Sequence, residues 1–335
     1  MGEFDLIEHY FKAPARAMQG MNAGVTLGIG DDCALLQPAA GMQLAISSDM
    51  LVEGRHFLST VDPYKLGHKA LAVNLSDLAA CGAKPLAFTL ALALPRADEA
   101  WLASFSRGLL ALAAEHNCAL IGGDTTKGPL NICITVFGEV PKATALLRSG
   151  AKAGDDIYVS GTVGDARLAL EVFRGNIELP GEAFTAARAR METPTPRVQL
   201  GIALRGIASS AIDVSDGLLG DLSHILRQSG MGAVIDTSIA INLIAIKAIN
   251  TPARCQFNPQ KQLECVLECV LSGGDDYELA FTAPAAQRST VQAAAAASNT
   301  RVTRIGQIHT EPGLRLIDGQ GHTVPNTYGS FDHFK

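Results

Sequence analysis

Several common features are missing from this 335-residue sequence, and each absence removes a class of function. No apolar run reaches the ~18 residues that a membrane-spanning helix needs. The N-terminal Met-Gly-Glu-Phe-Asp5 has no basic stretch leading into an apolar one, so no secretory signal is expected. No long run of Lys or Arg occurs and the formal net charge is −6, which argues against nucleic acid or an anionic membrane as the main partner. The seven cysteines are odd in number and scattered, without a Cys-x-x-Cys. Cys265 and Cys269 are one helical turn apart, but two thiols alone make a poor zinc site, so buried free thiols in a reducing cytoplasm are expected. There is no Gly-x-x-x-x-Gly-Lys-[Ser/Thr] loop, no Gly-x-Gly-x-x-Gly after a strand, no His-Arg-Asp and no Gly-x-Ser-x-Gly. P-loop, Rossmann, protein-kinase and serine-hydrolase chemistry are thereby disfavoured. Charged residues are scarce at 18% while apolar residues make up 47%, which excludes a disordered chain.

What is present is a length suited to two domains and alternating strand and helix patterns throughout, indicating an α+β or α/β class. Gln43 to Ser48 reads as a strand that delivers Ser47, Ser48 and Asp49 at its end. Asp62-Pro63 is a helix start, and the helix runs to Asp77, with Asn74 and Asp77 on one face. Phe88 to Leu94 and Asn131 to Val140 read as strands and Trp101 to Glu115 as a helix. Pro141 to Gly154 reads as a linker, dividing the chain into residues 1–141 and 142–335. In the second half, Asp156 to Gly161 is expected as a strand. Ala211 to Asp213 is expected as another, with Ser215 as N-cap of a helix to Gly230. Leu271-Ser-Gly-Gly-Asp-Asp-Tyr-Glu-Leu-Ala-Phe281 reads as a glycine turn entering a strand; residues 236 to 262 give no clear pattern.

The chemistry-bearing pattern is a carboxylate beside glycines or at a strand end. Ala119-Leu-Ile-Gly-Gly-Asp-Thr-Thr-Lys127 is the plainest case: an apolar strand stops at two glycines, and a carboxylate and two hydroxyls follow. Glycines let a phosphate approach the backbone, and Asp124 could hold a hard cation against it; an ordinary turn accounts for the same residues. Recurrence favours the first reading. Asp31 and Asp32, Asp49, Asp77, Asp213 and Asp216, and Asp275 and Asp276 repeat the arrangement, with Ser47, Ser48, Thr125 and Ser215 among them. Oxygen donors without His or Cys at zinc spacing point to Mg²⁺ or a similar hard ion. So many like charges could converge only around cations. Asp77 lies among Leu75, Leu78 and Ala79, so it should be paired or metal-bound. Arg148, on a Gly-flanked polar loop, is the candidate phosphate clamp, and His56 beside Arg55 could meet an anionic substrate.

Taken in order, a set of motifs resembles the thiamine-monophosphate kinase family. That family belongs to the superfamily of aminoimidazole-ribonucleotide and selenophosphate synthetases. The motifs are Gly28-Ile-Gly-Asp-Asp-Cys-Ala-Leu-Leu36, Ser47-Ser-Asp49, Ala70-Leu-Ala-Val-Asn-Leu-Ser-Asp-Leu-Ala-Ala80, Ile121-Gly-Gly-Asp-Thr-Thr126 and Arg148-Ser-Gly150, followed by Ile212-Asp-Val-Ser-Asp-Gly-Leu218, Ser272-Gly-Gly-Asp-Asp-Tyr-Glu-Leu279 and Phe331-Asp-His-Phe334. The resemblance implies ATP-dependent phosphorylation of thiamine monophosphate to the diphosphate. It implies a cytoplasmic homodimer whose N-terminal ATP/Mg-binding domains (residues 1–141) pair their sheets, with a C-terminal α/β domain (142–335) completing the active site. By position, Asp31, Ser47, Ser48, Asp49, Asp77, Asp124, Asp213 and Asp216 would hold several Mg²⁺ ions. Gly123, Asp124, Arg148 and Ser215 would touch ATP, and His56, Asp275 and Tyr328 the thiamine phosphate. Three positions depart from the family pattern: Ser48 for a common Thr, Arg55 for a common Asn, and Asp275 for the usual Glu, one methylene shorter.

The implied mechanism is direct in-line transfer, with no catalytic acid, base or nucleophile from the chain. Two alternatives stand beside it. One is another ATP-using superfamily member; selenophosphate synthesis would call for a reactive N-terminal Cys, which residues 1–25 lack. The other is a non-catalytic protein binding Mg-nucleotide or thiamine phosphate.

Overall fold

The computed structural model describes residues 3–18, 24–245 and 259–329. The Phe331–Phe334 motif and much of the patternless stretch lie outside them. The chain divides into two compact units, Met1–Leu78 with Ala83–Ala145, and Ala79–Gly82 with Leu146–Lys335.

The first unit opens with helical turns at Glu3–Ile7 and Ala13–Met18 and a small ladder of β1 (Val25–Leu27) and β2 (Leu35–Leu36). Its main sheet has four strands: β3 (Met42–Val52), β4 (Lys84–Leu94), β5 (Ala119–Lys127) and β6 (Asn131–Pro141), in the order β3-β6-β4-β5. Between them come helices Pro63–Ala80 and Glu99–Glu115. Both start as the sequence dictates. The Asp62 carboxylate accepts from Tyr64 N at 2.9 Å, and that of Asp98 from Trp101 N at 3.1 Å, satisfying amides that a helix start leaves without partners. The two helices cross where side chains vanish. A Cβ on Gly67 would lie 2.1 Å from the Phe105 carbonyl oxygen, and one on Gly108 1.9 Å from that of Tyr64. Leu66, Leu71, Leu75, Leu102, Phe105 and Leu109 are fully buried as a result.

Two expectations need correction. β3 does not end at Ser48; it continues to Val52, pairing with β6 down its length, so Ser47, Ser48 and Asp49 lie mid-strand. Nor does β5 stop at its glycines. It runs through Gly122 and Gly123 to Lys127 in parallel register with β4. Sheet hydrogen bonding overrides the local turn preference of Gly-Gly-Asp.

The second unit is built on a seven-stranded sheet. Its strands are β7 (Asp155–Ser160), β8 (Ser210–Asp213), β9 (Gly232–Asp236), β10 (Leu279–Pro284), β11 (Val302–His309), β12 (Gly313–Ile317) and β13 (Thr323–Val324), in the order β13-β12-β9-β11-β7-β10-β8. Only β9 and β12 run parallel, so the unit is a mixed α/β structure with a mostly antiparallel sheet. Its core joins Ile157, Val159, Ile212, Leu222, Ile225, Val270 and Ile305, while Tyr158 and Phe281 stack at 5.2 Å. The fold class is the expected one. The cysteines are less uniform than expected: of the described ones, Cys118 and Cys269 are buried, Cys81, Cys133 and Cys265 half-buried and Cys33 exposed.

Candidate active site

In the first unit the sheet's two faces separate the candidate ligands. Ser47 and Asp49 pair with the buried residues Val136 and Ile134, so their side chains lie on the face that helix Pro63–Ala80 covers. There the Ser47 hydroxyl donates to the Asp77 carboxylate, and Asn74 Oδ1 accepts from Asp49 N at 3.1 Å. The expectation that Asn74 and Asp77 share one face of the helix holds, and Asp77 is paired with Ser47. Ser48 points the other way, its hydroxyl 3.0 Å from Thr135 Oγ1 and 3.2 Å from the Ile134 carbonyl.

Asp124 belongs to that second face. It pairs with exposed Ala91, between buried Leu90 and Leu92, on the strand at the opposite edge from β3. Gly123 before it has φ +147°, and a Cβ there would fall 1.8 Å from the Leu90 carbonyl oxygen. Its missing side chain lets β5 close on β4. Asp31 is exposed on its loop, its carboxylate accepting from Asp32 N at 3.0 Å. His56 is half-buried and its Nδ1 accepts from Val52 N at 3.0 Å, which leaves the ring proton of the neutral form on Nε2.

In the second unit β8 delivers Asp213, buried, into a short turn before helix Leu218–Ser229. Here the expected cap is wrong. The helix begins at Leu218 with Gly217 as N-cap, so Ser215 does not cap it and Asp216 is not in its first turn. Asp221 takes the capping role instead: one of its oxygens, Oδ2, accepts from the amides of Ser215, Asp216 and Gly217 at 3.0, 3.0 and 3.1 Å. Burial pushes the Asp221 carboxyl up to about 7, with the nearby Asp216 charge adding to the rise and the three amides opposing it.

The turn is also stitched to the glycine loop before β10. Ser215 O accepts from Asp275 N at 2.8 Å, Val214 O from Tyr277 N at 2.9 Å, and Glu278 O from Val214 N at 2.7 Å. Asp275 and Tyr277 have φ of +73° and +53°, left-handed conformations that side chains disfavour and that functional loops commonly hold. The structure thus brings Asp275 beside Ser215. Arg148 is exposed, and its charge, like that of Asp216, is felt by the ring of His224, whose pKa falls mainly through burial and then through Arg148 and Arg227. Tyr328 is half-buried against the core; burial and then Glu264 and Glu268 raise its hydroxyl.

Beneath the loop lies a buried ionic group. Glu278, fully inaccessible, accepts from Ser160 Oγ, Arg190 Nη2 and Arg197 Nε, each at 2.6 Å. Asp276 is equally buried, accepting from Gly164 N at 2.8 Å; burial lifts its carboxyl well above the carboxylate range. Gly-Asp-Asp-x-x-Leu occurs at residues 30–35 and again at 274–279, in different environments: Asp31 and Asp32 are exposed, while Asp276 is in the core. Asp221, His224 and Glu278 are not among the residues that the sequence pattern points to. The one signal available was a carboxylate four residues into a helix that follows an Asp-rich turn.

Among the described residues, no three His, Cys, Asp or Glu side chains group closely enough to cage a metal ion. The donor pair that the structure brings together, Ser47 with Asp77, is all oxygen, as are the side-chain donors of Ser215 and Asp216. They suit Mg²⁺, which keeps several waters and takes one or two carboxylates plus substrate phosphates rather than a protein cage.

Comparison with known proteins gives the family. Residues 30–140 match the AIR synthase related protein N-terminal domain and residues 152–319 the corresponding C-terminal domain. The thiamine-monophosphate kinase of Salmonella typhimurium (strain LT2) is 44% identical over 335 residues, covering 99% of this chain and 98% of the relative. The chain belongs to the thiamine-monophosphate kinase family. The crystal structure of thiamine-monophosphate kinase from Stenotrophomonas maltophilia K279a superposes with a TM-score of 0.84 at 42% identity, covering 95% of this chain and 98% of that one. AaThiL complexed with AMPPCP and TMP superposes at 0.72 with 27% identity, covering 99% and 97%. Membership of the kinase family agrees with the motifs that first suggested it. No helix among the described residues is long and apolar enough to cross a membrane.

Proposed function

We propose that this chain transfers the γ-phosphoryl group of ATP to thiamine monophosphate, giving ADP and thiamine diphosphate, in the cytoplasm. The observation that carries the reading is end-to-end similarity to kinases of that name, together with a family structure that holds AMPPCP and TMP. The acceptor phosphate already bears its nucleophilic oxygen, so transfer is in line and direct, without a covalent intermediate. Little is asked of an acid or base. Asp31, Ser47, Ser48, Asp49, Asp77, Asp124, Asp213 and Asp216 serve as ligands of several Mg²⁺ ions. When bound, Mg²⁺ neutralises the crowded phosphate charge and polarises the transferred group.

The chain's own contribution is positioning. Arg148 and Ser215 hold the nucleotide, and Gly123 presents its backbone to it. His56, Asp275 and Tyr328 face the thiamine phosphate, with the shorter Asp275 reaching less far than the family's usual Glu. The alternating pattern of β3 leaves Leu44, Ile46 and Met50 exposed on one face, Ile46 by 60% and Met50 by 52%. That apolar row supports a homodimer formed through the sheet.

Incubation of the purified chain with ATP, Mg²⁺ and thiamine monophosphate is expected to yield ADP and thiamine diphosphate in equal amounts on chromatography. Binding of both compounds without either product would identify a sensor instead. Consumption of ATP with selenide or a ribonucleotide, but not with thiamine monophosphate, would move the chain elsewhere in the superfamily.

A further inference from the structure

Three consecutive backbone amides aimed at one point form a concavity that suits an anion, and at the start of a helix such a nest commonly receives phosphate. The Ser215–Gly217 turn makes one, directly ahead of helix Leu218–Ser229. The point at which its amides converge is the Oδ2 oxygen of Asp221, a side chain only 4% exposed. The opposite side of the turn is closed by the Asp275, Tyr277 and Glu278 backbone bonds. Side chains are excluded from its flanks too: a Cβ on Gly217 would meet the Ser272 carbonyl oxygen at 2.7 Å, and one on Gly274 the Ser215 carbonyl oxygen at 2.3 Å. Of the turn's residues, Ser215 and Asp216 remain half-buried.

We propose that Asp221 is a positioning residue whose carboxyl oxygen is the resident acceptor of this nest. By filling the nest permanently, it denies the amides to phosphate and fixes the turn so that Ser215 and Asp216 meet the nucleotide through cations. A helix start that merely needed its amides satisfied would be served by Ser, Thr, Asn or Asp at the cap itself. Here the cap is Gly217 and the carboxylate comes from one turn ahead, spanning three amides with a single oxygen. The inference rests on the reading that Asp213, Ser215 and Asp216 handle the metal-bound nucleotide.

The test compares Asp221→Ala, Asp221→Asn and Asp216→Asn in the full chain, each checked for folding by thermal melting. Asp221→Ala is expected to raise KM for MgATP by roughly tenfold or more, the scale of losing a charge-assisted hydrogen bond, with a smaller change in kcat. Added formate, which fits the emptied nest, should lower that KM again, and inorganic phosphate should become an inhibitor. Asp221→Asn, which keeps an oxygen acceptor, should stay near the wild-type KM. A folded Asp221→Ala with wild-type KM, or one indifferent to both formate and phosphate, overturns the proposal. If Asp221→Ala does not fold, hydrogen exchange of the wild-type 213–221 segment decides. Exchange there unaltered by inorganic phosphate supports a filled nest, and slowing by phosphate contradicts it. Asp216→Asn with an unchanged KM for MgATP would instead sink the underlying reading of the turn, whatever Asp221 does.

Discussion

Asp77→Asn and Asp124→Asn are each expected to lower kcat by roughly 10³-fold, because under the proposed role each loses one metal ligand and with it several kcal/mol of charge stabilisation in the transition state. Stability should barely move. Asp124 is exposed on the edge strand β5, where substitutions usually cost no more than about 0.5 kcal/mol. Asp77 accepts a hydrogen bond from Ser47, and an Asn amide oxygen can accept the same bond. Steady-state kinetics and thermal melts of the purified variants check both halves of this statement. Wild-type turnover in both variants would remove the metal role from the first unit. Asp77 stands against the sheet face that carries Ser47 and Asp124 lies on the opposite face, so each substitution probes a different part of the proposed ligand set.

Glu278→Ala is expected to have the largest effect on stability, about 3–5 kcal/mol, the range seen when one partner of a buried ion pair is removed. Glu278 is fully inaccessible, and the side chains of Arg190 and Arg197 beside it are only 20% and 17% exposed. Removing the carboxylate leaves two guanidinium groups and the Ser160 hydroxyl without the acceptor they share. Gly161 tightens the constraint, since a Cβ there would fall 2.1 Å from a Glu278 oxygen; the backbone has been kept bare to admit the carboxylate. Urea denaturation should show a lower midpoint with little change in slope. A loss below about 1 kcal/mol would mean that the arginines find other partners. The backbone carbonyl of residue 278, which accepts from Val214 N, is kept in this variant, so the effect reads the buried carboxylate itself.

Helix starts and apolar strands were readable because their signals are local. Asp62-Pro63 marks a helix start by capping chemistry, and the apolar run Asn131 to Val140 forms the strand it suggests, paired on both sides. The misreadings share one cause: a local turn signal overruled by partners distant in sequence. Gly122-Gly-Asp124 looks like a turn, yet β4 recruits it into a parallel strand by the close approach of Leu90 to Gly123. Ser215 looks like an N-cap, yet Asp221 already holds its amide and the Asp275 loop holds its carbonyl. Candidate ligands were found through carboxylates beside glycines, a compositional cue blind to which face of a sheet a side chain takes. It could not have told Asp77 from Asp124, nor exposed Asp31 from buried Asp276. The supporting carboxylates Asp221 and Glu278 escaped notice because a buried acid matters through its partners, which lie up to 118 residues away in sequence.

The central claim is that the chain's carboxylates and serine hydroxyls hold several divalent ions around phosphates. Its most direct test is titration of the purified protein with Mn²⁺ in place of Mg²⁺, following the free ion by electron paramagnetic resonance, with and without AMPPCP. The account predicts more than one bound Mn²⁺ per chain in the presence of AMPPCP, falling in Asp77→Asn, Asp124→Asn and Asp213→Asn. A single Mn²⁺ that accompanies the nucleotide, unaffected by all three substitutions, would contradict it.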